Sequence, residues 1–187
     1  MSLLPKSLAF IMFILFAIST TWFFKRASEA PVAPSPASPD AYMSDASAII
    51  LDQTGQPKIK IIAAKMVHFA ENDQARFTQP TIVIYRKTDQ PWFFQAKYAQ
   101  TVRGLNEIFF WQNVVASHAA DQKGPATTIK TPELTVDTQM KIAKTSTPIT
   151  FVQSDLVIKS IGMIANLQNS RVQLLSQTQA FYLPDDQ

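Results

Sequence analysis

Alternating apolar and polar positions recur along most of the chain after residue 45 and predict short β-strands. No stretch after Phe24 has the 3.6-residue period of an amphipathic helix. Pro80 interrupts one segment, and because proline donates no ladder hydrogen bond it indicates a bulge or an edge. Turn-type residues separate the segments at intervals of about 8–12 residues, which is typical of an all-β sandwich, barrel or roll. The predicted strands are 46–52, 58–69, 75–86, 92–102, 107–118, 127–136, 141–152, 156–165 and 171–182.

The segment 92–102 shows which side chains share a face. Simple alternation places Trp92, Phe94, Ala96, Tyr98 and Val102 on one face, although Phe93 breaks the pattern. A slip of one residue would exchange the two faces of such a strand. The inward face is therefore left open at this point.

Small residues repeat at nearly constant spacing. Ala63, Ala96, Thr131 and Gly162 stand 33, 35 and 31 residues apart. Seventeen positions after the first three come Pro80, Asn113 and Pro148. A period of this length is typical of one supersecondary unit stacked on itself. The β-branched and aromatic content makes that unit a two-strand element.

Gly162 falls at this repeat position, and glycine inside a strand usually marks a bulge or a close backbone approach. A lack of space at that layer is the expected reason. An ordinary turn glycine is the alternative.

The N-terminal region predicts a membrane anchor. Residues 8–24 carry no charge and would span about 26 Å as a helix, at the short end for a transmembrane segment. Leu8, Ile14 and Trp22 lie along this span, and Lys6, Lys25 and Arg26 flank it. A cleaved signal peptide ending near Ala30 is the alternative, but proline would then follow the cut. The predicted organisation is a short cytoplasmic head and anchor over 1–26, a Pro-rich periplasmic linker over 27–41, and one β-domain over 42–187.

The charge balance excludes a nucleic-acid protein. The chain has 17 basic and 14 acidic residues, a net charge of +3, and Lys6, Lys25 and Arg26 supply all of the excess. Residues 27–187 therefore net zero, whereas a nucleic-acid footprint needs a clustered basic face. The chain has no cysteine, which excludes disulfides without fixing the compartment.

Catalytic and metal-binding motifs are missing from the sequence. There is no nucleophile elbow, phosphate loop or dinucleotide fingerprint. His68 and Glu71 would not share a face at a strand end, and His118 with Asp121 is typical of turn chemistry. We predict no enzyme, no metal and no cofactor.

Aromatic side chains are abundant, with 13 Phe, 4 Tyr and 3 Trp. They either fill a sandwich core or line an open apolar trough. Sequence alone does not separate these two arrangements.

Several short motifs together resemble the LptC family, the membrane-anchored periplasmic component of lipopolysaccharide export. The resemblance covers the chain from Met1 to Tyr182 and depends on order and spacing. The motifs are Pro39-Asp40-Ala41-Tyr42, Asp52-x-x-Gly55-x-Pro57, Ile61-Ile62-Ala63, Arg76-Phe77-Thr78-Gln79-Pro80, Pro91-Trp92-x-x-x-Ala96, Ile129-Lys130-Thr131-x-x-Leu134, 145–148 and Gly162-Met163.

The resemblance implies a single-pass inner-membrane protein whose periplasmic domain is an open β-jellyroll, the Lpt-type (OstA-like) roll. It would receive lipopolysaccharide from the LptF/LptG/LptB transporter and pass it to LptA. The implied trough candidates are Phe77, Ile82, Trp92, Phe94, Tyr98, Ile108, Phe110, Leu134 and Leu174. The implied transporter edge is Ala48, Ile50 and Leu51, and the implied LptA edge is Val172, Leu174, Ala180 and Tyr182.

Two other functions stay open at this stage. One is a membrane-tethered scaffold that joins partners by strand edges and carries no lipid. The other is a periplasmic hydrolase, for which no catalytic set is visible.

Overall fold

The computed structural model describes residues 38–86, 90–102, 104–122 and 124–182. Within these residues the chain forms eleven β-strands and one 3-10 turn, Ala70–Asn72. The strands are β1 (Ala41–Leu51), β2 (Pro57–Phe69), β3 (Gln74–Thr78), β4 (Thr81–Ile84), β5 (Trp92–Gln95), β6 (Tyr98–Val102), β7 (Glu107–His118), β8 (Thr127–Asp137), β9 (Ile142–Gln153), β10 (Leu156–Asn166) and β11 (Arg171–Tyr182).

All described strands belong to one antiparallel meander. β3 and β4 lie end to end along β2, and β5 and β6 lie end to end along β7. Each of these pairs is one long strand broken near its middle, so the eleven strands make nine long passes. The prediction of nine strand segments is therefore confirmed, with 75–86 and 92–102 each divided in two.

A line of bends crosses the middle of the sheet. Positive φ angles occur at Gln79 (51°), Gln112 (62°), Asn113 (59°) and Gln177 (48°), all near mid-strand. The pairing register shifts at the same level between β7 and β8, β8 and β9, β9 and β10, and β10 and β11. Bulges of this kind bend a strand and increase its twist, so the whole sheet turns at this line.

The repeat found in the sequence marks this line. Ala96 lies in the break between β5 and β6, and Pro80 in the break between β3 and β4. Thr131 pairs with Val114 directly beside the bulge at 112–113. Ala63 pairs with Ala46, next to the positive φ of Asp45. The repeated unit is thus a hairpin of two bent strands, as its composition predicts.

The bends bring the two halves of the sheet face to face. Phe94 pairs in register with Ala116, yet its ring centroid lies 5.6 Å from that of Phe110. Six residues of a straight strand would separate these positions by about 20 Å. The buried apolar side chains of both halves form one core cluster.

Gly162 occupies a bend at which no other residue fits easily. Its φ of +78° lies in the left-handed region, and an added Cβ would lie 2.9 Å from Cδ1 of Leu175. This geometry is consistent with the expected lack of space at this position.

Candidate functional site

The interior between the two halves of the sheet gathers most of the predicted trough residues. Trp92, Phe94 and Phe110 form a row of rings with centroid separations of 6.3 and 5.6 Å. None of the seven interior candidates is more than 3% exposed, so they are packed against one another. These seven are Phe77, Ile82, Trp92, Phe94, Ile108, Phe110 and Leu134. Leu174 is half-buried and packs against the same cluster.

The single face predicted for 92–102 is wrong. Trp92 and Phe94 point inward, but after the break at Ala96 the inward residues are Ala99 and Thr101. Tyr98 consequently lies on the outer surface, with its ring 5.7 Å from that of Trp111. When extra residues interrupt a strand, the positions that face inward after the interruption shift by one residue. Counting alternate residues along the sequence does not detect such a shift.

An apolar cavity of ≈ 300 Å³ lies beneath the edge strand β1. This volume is at the low end for small-molecule pockets. Ile50, Ile61, Met66, Phe77 and Leu105 supply apolar walls. β1 covers it loosely, because Ala46 is the one fully buried residue of that strand.

A histidine and two aspartates lie at one end of this cavity. His68 Nδ1 is 2.8 Å from Asp40 Oδ1, and its Nε2 is 3.5 Å from Asp73 Oδ1. The hydrogen bond with Asp40 raises the pKa of His68, against an opposing effect of desolvation, and Asp73 adds to the increase. Desolvation alone would raise the pKa of Asp40, but hydrogen bonds and the charge of His68 lower it overall. The Asp40 N–H also donates to the His68 carbonyl at 3.1 Å, which ties the start of β1 to β2.

A buried polar cluster joins the ends of the strands on the side away from the bends. The Arg86 Nη2 lies 2.8 Å from Asp121 Oδ2 and also contacts His118 Nε2. His118 Nε2 is 2.9 Å from the same aspartate oxygen, and its ring packs on Trp92 at 5.0 Å. All three polar side chains are at most 8% exposed. We call Arg86, His118 and Asp121 the Arg86 cluster.

The Arg86 cluster also reaches the hairpin between β10 and β11. Arg86 Nη1 donates to the Leu167 carbonyl at 3.5 Å and to the Ser170 hydroxyl at 3.2 Å. The Trp92 indole donates to that same carbonyl at 3.2 Å. The sequence pattern indicates turn chemistry for His118 and Asp121 and does not single out Arg86. The available signal was an arginine directly after the apolar run Ile82-Val83-Ile84-Tyr85.

The first and last strands of the meander each have a single neighbour among the described strands. β1 pairs with β2, and β11 pairs with β10. The predicted edge residues that are exposed are Ala48, Leu51, Ala180 and Tyr182. Those that are half-buried against the core are Ile50, Val172 and Leu174.

The predicted anchor, with Leu8, Ile14 and Trp22, lies outside the described residues, as does most of the predicted linker. Within the part of the chain that the structure describes, no helix is long and apolar enough to cross a membrane.

The fold defines the class of protein. It is similar to the solved structure of LptH, the LptA homologous periplasmic component of the conserved lipopolysaccharide transport device from Pseudomonas aeruginosa. The match has a TM-score of 0.54 and 6% sequence identity, and covers 67% of this chain and 95% of LptH. It therefore identifies an LptA-like β-jellyroll at the level of fold alone.

The sequence gives the family. Residues 9–183 match the family model described as lipopolysaccharide-assembly, LptC-related, and the chain belongs to the LptC family. No curated protein sequence matches it. This family works in lipopolysaccharide transport rather than in enzyme catalysis.

Proposed function

We propose that this protein is a link in the lipopolysaccharide transport bridge. It receives lipopolysaccharide from the inner-membrane transporter LptB/LptF/LptG and passes it to LptA, with acyl chains held between the two halves of the sheet. The observation that carries the proposal is the apolar interior of an LptA-like roll in a chain of the LptC family. Residues 8–24 act as a single-pass inner-membrane anchor that leaves the domain in the periplasm.

The interior has the chemistry that an acyl chain needs. Its walls are mainly aromatic and aliphatic, with a few buried hydroxyl groups such as that of Thr101, and the ionisable side chains at its rims are His68 and those of the Arg86 cluster. Burial of a methylene group contributes about 0.8 kcal/mol, so even a short stretch of chain gains useful binding energy. Apolar contacts have no directional requirement, so an acyl chain can move along the interior without adopting one fixed conformation.

The two outer strands suit partner rolls. An unpaired strand edge exposes backbone donors and acceptors that another strand can pair with. In our proposal, β1 pairs with the transporter through the region of Ala48 to Leu51. β11 pairs with LptA through the region of Val172 to Tyr182. One continuous sheet would then run from the transporter to the soluble bridge.

A scaffold without lipid is the second candidate, and one observation favours it. The interior side chains are closely packed, and the apolar cavity beneath β1 is small, at ≈ 300 Å³. A scaffold needs the two strand edges and no access to the core.

Photo-crosslinking in living cells separates the two candidates. We would place a photoreactive amino acid at Phe77, which lines the cavity, and the matched control at Arg76, the next residue, on the outer face of β3. Phe94 and the outward-facing Gln95 form a second pair deeper in the roll. Lipopolysaccharide adducts at the two inward positions and not at their neighbours support the conduit. No adduct at any of the four, in folded and anchored protein, supports the scaffold.

A further inference from the structure

The Arg86 cluster lies where the two halves of the folded sheet meet at their free ends. Arg86, His118 and Asp121 follow or end strands of one half, at the loops after β4 and β7. Leu167 and Ser170 belong to the hairpin that ends β10 and begins β11, in the other half. These partners are 81 and 84 residues from Arg86 in sequence. The contacts therefore bridge the mouth of the roll, opposite the line of bends.

The bends themselves cannot separate the two halves, because every strand runs through them as continuous backbone. Among the described residues, no strand crosses from one half to the other at the mouth. There, side-chain hydrogen bonds join the two halves. Arg86 and Trp92 both donate to the Leu167 carbonyl, and Arg86 also donates to the Ser170 hydroxyl. A separation of the two halves must begin at this side.

The packed interior makes such a separation necessary for a conduit. Trp92, Phe94 and Phe110 fill the space directly below the Arg86 cluster, and each is at most 1% exposed. An acyl chain that passes between the halves has to displace these contacts. We infer that the Arg86 cluster is a releasable clasp that closes the mouth of the roll, and that its opening admits the apolar chains of the lipid. This inference rests on the proposed transport function.

The chemistry of the cluster suits a contact that opens and closes. A purely apolar closure would expose apolar surface to water when it opened. The guanidinium, hydroxyl and carbonyl of this closure can instead exchange their mutual hydrogen bonds for water, which leaves a small net difference in free energy. His118 Nδ1 is in addition buried without a hydrogen-bond partner in the closed form. Hydration of that atom on opening removes a penalty carried by the closed state.

Arginine is the residue that this geometry requires. Its planar fork reaches Asp121 and His118 with Nη2, and Leu167 and Ser170 with Nη1. A lysine keeps the charge but presents one compact ammonium group that cannot bridge both sides in this way. Arg86→Lys should therefore weaken the bridge across the mouth while it leaves a cation beside Asp121.

The test compares Arg86→Lys with Arg76→Lys in the full chain reconstituted in nanodiscs. Arg76 is the matched control, because it lies on the outer face and donates to Gln100 across β3 and β6. We expect hydrogen exchange at residues 167–171 to accelerate about tenfold in Arg86→Lys, the factor that corresponds to loss of one hydrogen bond to a charged group. Dye-labelled lipopolysaccharide should load correspondingly faster. Equal exchange and equal loading rates in the two variants would overturn the inference.

A second variant is designed to hold the mouth closed rather than to weaken its closure. It leaves every residue of the Arg86 cluster in place. Ala120 and Asn169 are exposed neighbours of Asp121 and Ser170, and the natural chain has no cysteine. Ala120→Cys with Asn169→Cys can be joined by a cleavable thiol cross-linker across the mouth. We expect the joined protein to load lipopolysaccharide slowly and to recover when the linker is cleaved. Unchanged loading in the joined protein overturns the clasp while the conduit stands. Absence of loading in the unmodified chain overturns the proposed function itself.

Discussion

The two adjacent phenylalanines of β5 provide a direct test of which face of the roll is the interior. Phe94 is fully buried between Trp92 and Phe110, whereas Phe93 is 39% exposed on the outer face. Truncation of a buried phenylalanine to alanine costs about 3–5 kcal/mol, from lost transfer free energy and the cavity left behind. The lost ring stacking is part of that range. Phe93→Ala removes the same atoms from the outer face, where substitutions usually change stability by about 0.5 kcal/mol or less.

Urea unfolding of Ser38–Gln187, the compact unit that contains the described strands, measures the difference. With a slope of about 2 kcal/mol/M, Phe94→Ala should lower the unfolding midpoint by about 1.5–2.5 M. Phe93→Ala should lower it by about 0.25 M or less. The slope itself should stay constant if both variants unfold in two states. Equal midpoints for the two variants, or a larger loss for Phe93→Ala, would refute the assignment of the inward face.

Three further predictions follow from other sites. The protection factor of the Asp40 N–H, which is its hydrogen-exchange rate corrected for the intrinsic pH dependence of amide exchange, should be greatest between the ordinary pKa of Asp40 (3.8) and that of His68 (6.5). The raised pKa of His68 means that protection is lost as the pH rises through it, and the lowered pKa of Asp40 means that protection is lost as the pH falls through it; a flat profile contradicts this ion pair. Gly162→Ala should destabilise the domain by about 1–3 kcal/mol through backbone strain, while Gly124→Ala, with open space around it, should be near neutral in the same thermal unfolding experiment. Exchange of residues 8–24 for an unrelated anchor should leave lipopolysaccharide binding intact, and loss of binding in that chimera would place part of the lipid site in the anchor.

The candidate site shows how far a sequence pattern reaches. Seven of the nine trough candidates lie in the interior because their strands alternate regularly up to a bend. Tyr98 fails because it follows the break at Ala96 and Lys97, where the parity changes. Pro80 and the repeated small residues signalled that the strands are interrupted. They did not say how many residues each interruption adds.

The sequence pattern pairs His118 with Asp121 but does not connect either of them to Arg86 or to the β10–β11 hairpin. Arg86 follows β4, whereas His118 and Asp121 lie at the end of β7 and just after it, and the partners of Arg86 in the β10–β11 hairpin follow more than 80 residues later. No local pattern connects positions that distant, since each of them by itself is an ordinary polar residue near a turn.

The sequence by itself determined the strand content, the two-strand repeat and the family, because these depend on local alternation, turn chemistry and the order of short motifs. Tertiary structure alone decided that the sheet folds back on itself at the bends. It also decided which face became the interior and which loops meet at the mouth. The physical reason is that each bulge bends its strand and changes which residues face inward. The side chains that come into contact therefore depend on the bulges of all nine strand passes together.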